Sequence, residues 1–286
     1  MLSPAIIFAL LSLIIGGLNE VVFKRYSSRD RSRGMMISGV GVVWTFLLII
    51  DTSIRGDAIV FSQATWWFGL VAGIIVAIAN ILLLESLRHM EVSLGSTIYR
   101  LNTIAVVFLS VIFLGESMSL IKLAGVSCGA IAVLLLYRQQ HSSGTHSTLK
   151  TGLVIVISGA LLRAVYGVVT KAGLSQGADA DALMLISAIC WIVSGLLYAV
   201  LIEHRYSITR AKLAYSMVSG IFVYGIVRTL VTALSLGEAS VVITIANMSF
   251  LMSLLVALAL KMEVLSPKKI IAMLFAISAI TLLSQA

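Results

Sequence analysis

Long apolar runs separated by short polar stretches divide the chain from one end to the other. Runs of roughly 17–25 apolar residues have the length that an α-helix needs to cross a bilayer core of about 30 Å. The first five runs cover residues 4–23, 34–51, 65–86, 93–114 and 119–137. Five more cover residues 151–172, 181–202, 211–232, 240–260 and 267–284. The pattern predicts an all-α integral membrane protein with ten transmembrane helices, which we number one to ten.

The two sets of five helices repeat one another at a fixed shift of 147 positions. The matched residues include charged and aromatic side chains, which unrelated apolar helices share less readily than Leu or Ala. The pairs are Lys24 with Lys171, Ser28 with Ser175, Trp44 with Trp191, Gly73 with Gly220, Glu91 with Glu238, Ser93 with Ser240, Glu116 with Glu263, Ser119 with Ser266 and Lys122 with Lys269. We therefore interpret the chain as two copies of one five-helix unit.

An odd number of spans per copy has a consequence for orientation. The second copy must enter the membrane from the opposite side, so the copies form an inverted pair about a pseudo-two-fold axis in the membrane plane. We predict a first repeat at residues 1–138, a linker at 139–150 and a second, inverted repeat at 151–286. Such duplication in a hydrophobic chain is typical of secondary transporters.

Composition and charge support a membrane location. Apolar residues make up 60% of the chain, charged residues only 11%, and the mean hydropathy is +1.09. The loops after helices one, three, five, seven and nine carry fourteen Lys and Arg, whereas the other face has only Arg55, Lys122 and Lys171. The positive-inside rule puts the crowded face in the cytoplasm and both termini outside, in a bacterial inner membrane. The net charge of +8 then reflects topology and lipid headgroups, and no nucleic-acid motif is present.

One stretch of the sequence resembles a known family. Helix four ends in residues 114–117 (LGES), and helix five follows with Lys122, Gly125 and Gly129. This stretch is similar to the end-of-repeat signature of EamA-type transporters in the drug/metabolite transporter superfamily. The segment from Ser86 to Gly95 resembles the Ala-rich junction before helix four of that family. The resemblance implies an inverted five-plus-five layout and a carrier of small polar metabolites.

The chain departs from that family in two features. Family members often carry a proline in helices four and nine, where this chain has Asn102 and Ser249. Their termini are usually cytoplasmic, whereas the charge count of this chain argues for the reverse. We follow the charge count, so the direction of transport, including metabolite export, does not carry over from the family.

Three arginines lie inside predicted helices: Arg163 near the middle of helix six, Arg100 a third of the way into helix four, and Arg228 in the last third of helix eight. An arginine at this depth costs on the order of 3 kcal/mol and therefore tends to face a partner or a wet cavity. Arg228, and less easily Arg100, could instead reach the headgroups by snorkelling. A guanidinium grips carboxylates and phosphates through a fork of donors, so the pattern favours an anionic or zwitterionic small-molecule substrate.

Glu20 in helix one is the obvious counter-charge. A carboxylate in a cavity shielded from water binds a proton more readily, so Glu20 could couple proton movement to substrate movement. The alternative is a salt bridge with Lys24, one turn further along the same helix.

Neutral polar residues complete the predicted path. The resemblance places helices one, three, four, six, eight and nine around a central cavity, and these helices carry Tyr166, Tyr99, Tyr224, Asn19, Asn80, Asn102 and Asn247. Tyr166 is three residues from Arg163 and shares its face. The alternative for each is an interhelical hydrogen bond, worth about 0.6 kcal/mol in membrane helices.

Small residues form a face at the same place in both repeats. Gly125 and Gly129 in helix five have Ala272 and Ala276 as their equivalents in helix ten. Such faces let helix backbones approach closely. The sequence favours packing of helix five on helix ten, or a homodimer contact, and leaves both open.

Enzyme chemistry finds no support in the sequence. All four histidines fall in loops, and every aspartate lies in a loop or at a helix end, so neither an aspartyl dyad nor a zinc site can be assembled inside the membrane. We predict no catalytic residue, metal or cofactor. The sequence favours a secondary transporter working by alternating access around a central cavity between the repeats.

Three other functions stay open. A lipid-linked sugar or phosphate flippase would use the same arginines but needs an opening to the bilayer. A proton-coupled carrier of cations or quaternary amines would use Glu20 and an aromatic cage, although Trp66 and Trp67 resemble interfacial anchors instead. A structural membrane subunit is the non-transport alternative.

Overall fold

The structure, a computed structural model, describes residues 2–27, 29, 31–86, 89, 98–137, 146–205, 207–259 and 266–285. In these residues the helices are α1 Pro4–Ser27, α2 Arg33–Arg55, α3 Gln63–Ser86, α4 Asn102–Leu114, α5 Leu120–Tyr137, α6 His146–Ser175, α7 Ala180–Leu201, α8 Arg210–Leu236, α9 Ala239–Asn247, α10 Phe250–Ala259 and α11 Pro267–Leu283. Seven described segments are long and apolar enough to cross a membrane. The predicted all-α membrane fold is confirmed, with α9 and α10 together forming helix nine.

Helix boundaries extend beyond the apolar runs where polar side chains cap them. Asp179 accepts a hydrogen bond from the Ala182 amide (2.8 Å) at the start of α7, and Ser32 accepts one from Met35 (3.2 Å) in α2. α6 begins at His146, inside the predicted linker 139–150. The remainder of that linker lies outside the described residues.

Helix nine is broken, which the apolar pattern did not predict. The Met248 amide donates to the Ile245 carbonyl (3.0 Å) and the Ser249 amide to the Ala246 carbonyl (3.3 Å), so the chain makes a tighter turn between α9 and α10. Helix four has a turn of the same kind at Leu101, the repeat equivalent of Met248. Residues 93–97 of predicted helix four lie outside the described part of the chain.

The two turns stand where the family often has proline, although this chain has none there. Asn102 and Ser249 instead turn their side chains to other helices. Asn102 accepts a hydrogen bond from Asn247 (2.6 Å), and Ser249 donates one to Glu20 (2.7 Å). Polar side chains at the turns therefore link the broken helices to their neighbours.

Helix packing follows the repeat. The main pairs are α1 with α8, α3 with α6, α2 with α7, α5 with α11, α3 with α7, α2 with α8, α4 with α6, α1 with α10 and α4 with α9. Exchanging the two halves converts this set of pairs into itself. Where α2 meets α7, the equivalent residues Trp44 and Trp191 touch edge to face with ring centroids 5.9 Å apart. A two-fold axis between the halves would produce this pattern, and the inverted orientation stays a prediction.

The small-residue faces of α5 and α11 lie against each other. A Cβ added at Gly125 would come within 2.7 Å of Leu283, and one at Gly129 within 3.8 Å of the Ala279 Cβ. Close approach of the two helices therefore depends on Gly125, whereas the distance from Gly129 to Ala279 is an ordinary van der Waals contact. Of the two roles that the sequence left open for this face, the structure shows the intramolecular one.

Glu116 and Lys122, from the signature region of helices four and five, fix the start of α9. The Glu116 carboxylate accepts hydrogen bonds from the amides of Ala239 (2.6 Å) and Ser240 (3.0 Å) and from the Ser240 hydroxyl. Lys122 pairs with Glu238. An anion at a helix N-terminus satisfies free amides and the helix dipole, so the signature has a structural role here.

We expect Glu116→Ala to lower the free energy of unfolding by about 2 kcal/mol, because the start of α9 loses a charged acceptor. The measurement is chemical unfolding in detergent micelles, followed by tryptophan fluorescence. Ser117→Ala is the matched control, since Ser117 is exposed and the carbonyl that it offers to Lys122 is retained. Equal unfolding midpoints for the two variants would contradict the capping role.

Candidate functional site

Arg163 lies half-buried in α6, packed against the first turn of helix four. Its guanidinium carbon is 5.7 Å from the centroid of the Tyr99 ring, a cation–π distance. Tyr99 and Tyr166 are buried, and the Tyr166 hydroxyl lies within electrostatic range of the Arg163 guanidinium. Within the described residues, no carboxylate pairs with Arg163. The structure therefore brings together three of the predicted site residues.

Arg100 and Glu20 form a second group. Arg100 is buried and makes an ion pair with Glu20 of α1, while its guanidinium carbon lies 5.3 Å from the centroid of the Phe250 ring. Glu20 also accepts a hydrogen bond from Ser249 (2.7 Å). Glu20 thus bridges α1, helix four and the break in helix nine, and its partner is Arg100. The side chain of Lys24, the alternative partner, lies outside the described part.

A third group lies where α4 meets α9. The Asn247 amide donates to the Asn102 side-chain oxygen (2.6 Å) and to the Thr103 hydroxyl (2.8 Å). The Asn102 amide nitrogen is buried without an acceptor, and so is the Tyr99 hydroxyl. Buried donors without partners are costly, so both mark places where a ligand or water would be favourable.

The duplicated halves contribute different chemistry to these groups. At the shift of 147, Arg163 corresponds to Gly16, Glu20 to Gly167, and Arg100 to Asn247. A Cβ at Gly167 would come within 2.3 Å of the end of the Ile243 side chain, so an acid there would have to displace that side chain. The first half therefore supplies Glu20 together with its partner Arg100. The second half supplies Arg163 and has no acid at the position equivalent to Glu20.

Arg228 belongs to a network at one end of the helices. It pairs with Asp181 of α7 and approaches Asp51 of α2 (3.6 Å), while Arg55 binds Asp181 at 2.8 Å. Tyr224 lies beside Asp51 and Arg228. The structure thus joins Arg228 and Tyr224 to this end network. The sequence pattern predicted instead that both side chains line the central cavity.

Asn80 makes a local contact. Its amide donates to the Val76 carbonyl (2.7 Å), four residues earlier in α3. This bond stays within one helix, so it is neither a contact with the predicted site nor the interhelical hydrogen bond given as the alternative.

The opposite end, where the basic loops lie, is held by Glu203. Its carboxylate accepts hydrogen bonds from the Ser32 hydroxyl (2.6 Å) and from the amides of Arg33 (2.9 Å) and Gly34 (3.2 Å). Tyr26 donates to the Ser32 carbonyl. Burial, followed by the nearby Glu203 charge, raises the pKa of Tyr26 to about 12, so its hydroxyl remains a donor.

Sequence reasoning missed the carboxylates of the end network. Asp51 and Asp181 sit at helix ends, where an acid is unremarkable in a sequence. The available signal was that both helix ends lie on the same side of the membrane as Arg228, a cation inside a predicted helix that needs a partner. The side-chain oxygen of Asn19, which accepts a hydrogen bond from the Ser219 hydroxyl at 2.8 Å, links α1 to α8, as the interhelical alternative for this Asn predicts. Among the described residues, His, Cys, Asp and Glu form no group that could hold a metal ion.

Comparison with known proteins agrees with this architecture. A solved crystal structure of a protein with 13% sequence identity superposes with a TM-score of 0.83, over 99% of this chain and 96% of the other. At that identity the likeness shows the fold alone. No curated protein matches the sequence. Residues 3–138 match the EamA-like transporter family. This match, which covers the predicted first repeat, places the chain in the drug/metabolite transporter superfamily.

Proposed function

We propose that the protein is a secondary transporter that carries a small anionic or zwitterionic metabolite by alternating access, with Arg163 as its main substrate-binding residue. One observation carries the proposal. Of the three predicted intramembrane arginines, Arg100 and Arg228 have carboxylate partners, whereas Arg163 has none among the described residues. A substrate carboxylate or phosphate would supply the missing partner.

The surroundings of Arg163 suit this role. The Tyr99 ring holds the guanidinium through a cation–π contact, and the Tyr99 hydroxyl has no other partner. Asn102 offers a second unused donor. We therefore assign Tyr99, Tyr166, Asn102 and Asn247 to the same site. Arg228, Tyr224 and Asn80 lie outside our proposed site because each is engaged elsewhere.

Proton coupling through Glu20 is part of the proposal. Protonating Glu20 would leave Arg100 without its counter-charge inside the membrane, so the proton would alter the contacts between α1, helix four and helix nine. A carrier of cations would need Glu20 free for its substrate. The ion pair with Arg100 makes that alternative weaker.

The test is ligand binding by the protein in lipid nanodiscs, with acetate, inorganic phosphate, glycine and tetramethylammonium as probes. We expect a carboxylate or zwitterion to bind, and Arg163→Ala to weaken its binding about 10- to 100-fold, the effect of roughly 1.5–3 kcal/mol for charge-assisted hydrogen bonds. Arg163→Lys should recover part of the affinity, because the charge remains but the planar fork is lost.

Arg210→Ala is the matched control, since Arg210 is an exposed arginine at the start of α8. Equal affinities for wild type and Arg163→Ala would overturn the proposed site. Binding of tetramethylammonium alone, lost in Glu20→Gln, would favour the cation carrier instead.

A further inference from the structure

A pocket of about 320 Å³ opens at the side of the molecule, between α4, α5 and α6. We name it the side pocket. Its walls are apolar and include Leu101, Ala105, Leu134, Ile157 and Leu161, and Asn102 is the one polar residue among the described residues that line it. A volume of this size falls at the lower end of the range for small-molecule sites.

The mouth of the side pocket faces the bilayer. Leu134, Ile157 and Leu161 are 46%, 48% and 53% exposed on helices that are apolar along their length. A ligand group in this pocket would therefore meet hydrocarbon on every side except at Asn102. Only an apolar group fits such surroundings without losing hydrogen bonds to water.

The inner wall of the side pocket adjoins the Arg163 group. Ala160 lines the pocket and lies three residues before Arg163 on the same face of α6. Its neighbour Gly159 packs on Tyr99, since a Cβ there would come within 3.3 Å of the Tyr99 ring. Asn102, whose amide nitrogen has no acceptor, also lines the side pocket. A carboxylate at Arg163 and a tail in the side pocket are therefore within reach of one molecule.

We propose that the substrate of the Arg163 site is an amphipathic anion, whose hydrocarbon tail occupies the side pocket and whose acidic group lies at Arg163, Tyr99 and Asn102. The inference rests on the proposed function and narrows its substrate class. The side pocket then determines which tails are accepted, because only a tail that fits the space between α4, α5 and α6 can bind there. The orphan Asn102 amide donates to the acidic group, and the tail enters from the lipid side.

The test is a series of straight-chain carboxylates, from acetate to octanoate, titrated by calorimetry into protein in phosphatidylcholine nanodiscs, with empty nanodiscs subtracted. Affinity should rise about fourfold for each added CH₂, the ratio that follows from the transfer of one CH₂ out of water. Ala105→Phe fills the pocket and should flatten the series, so that octanoate binds no more tightly to this variant than acetate does. Arg163→Ala should weaken every member of the series.

Two variants make the test specific. Ala124→Phe is the matched control, because Ala124 is an exposed alanine of α5 that does not line the pocket, and its series should match wild type. Leu161→Trp narrows the mouth from an exposed position and replaces Ala105→Phe if that variant does not fold.

The outcomes separate this inference from the proposed function. Arg163-dependent binding of acetate with no gain along the series would overturn the amphipathic substrate and leave the anion site standing. A gain that persists in Ala105→Phe and Leu161→Trp would also overturn it, since the tails would then only partition into lipid. A further outcome is that Ala105→Phe binds the carboxylate series as wild type does but retains less phospholipid after purification. That result would identify the side pocket as a binding site for a bilayer lipid and overturn the amphipathic substrate. Absence of any Arg163-dependent binding would overturn both proposals.

Discussion

Replacing Gly34 by leucine is expected to prevent formation of the native fold, at a cost above about 4 kcal/mol. A Cβ at Gly34 would lie 2.5 Å from the Ala199 amide nitrogen and 2.5 Å from the Gly195 carbonyl oxygen. Both atoms belong to the backbone of α7 and cannot rotate away. The reverse contact is equally close, because a Cβ at Gly195 would lie 2.6 Å from the Ser38 amide nitrogen. A side chain at Gly34 must therefore push α2 and α7 apart.

The consequence extends beyond one contact. The pair α2 and α7 joins the two halves, and Trp44 and Trp191 pack along the same interface. Separating the helices at Gly34 also moves the amides that Glu203 binds at the start of α2. Several contacts between the halves are lost together.

The measurement is the yield of monodisperse protein in detergent and its thermal unfolding. Gly56→Leu is the matched control, because a Cβ at Gly56 meets nothing within 4 Å. Gly56 has a φ of +71°, so its leucine variant should cost only the left-handed backbone penalty of about 1–2 kcal/mol. Similar yield and stability for the two variants would show that α2 and α7 do not approach as closely as the structure has them.

The helical architecture could be predicted because a bilayer imposes a simple rule. Every backbone group must bond within its own helix, so long apolar runs become helices whatever their neighbours. The break between α9 and α10 does not follow from that rule. Met248 and Ser249 are ordinary helix residues, and the tight turn there accompanies the bond from Ser249 to Glu20, 229 positions away. A pattern read from neighbouring residues cannot predict a contact between residues so far apart in the sequence.

The candidate site was predictable in part, for a related reason. The depth of Arg163 in its helix is a local property, so the sequence alone could single it out as a candidate, and the structure places it inside α6. The partners of the other charges are tertiary properties. Arg100 lies 80 positions from Glu20, and Arg228 lies 47 from Asp181, so only helix packing decides which charges meet. Lys24 is the candidate partner of Glu20 that is near in sequence, whereas the ion pair in the described residues is with Arg100.

Glu20→Gln is expected to destabilise the protein by about 3 kcal/mol, because it leaves the buried guanidinium of Arg100 without a counter-charge. Glutamine keeps the size of the side chain and an acceptor for Ser249, so the charge is the main loss. Arg100→Gln should cost less, since Glu20 has 30% of its side chain exposed and can be hydrated. The double variant removes both charges and should lie within about 1 kcal/mol of wild type.

This double-mutant cycle, measured by chemical unfolding in micelles, separates an ion pair from two independent effects. Additive losses would contradict the pair. The double variant also tests proton coupling, because it restores stability without restoring a titratable group at Glu20. If Glu20 carries the proton, this variant should still bind the anion through Arg163 but lose the dependence of transport on a proton gradient. Retained proton-driven transport would make Glu20 a structural residue, and the coupling group would have to be sought elsewhere in the chain.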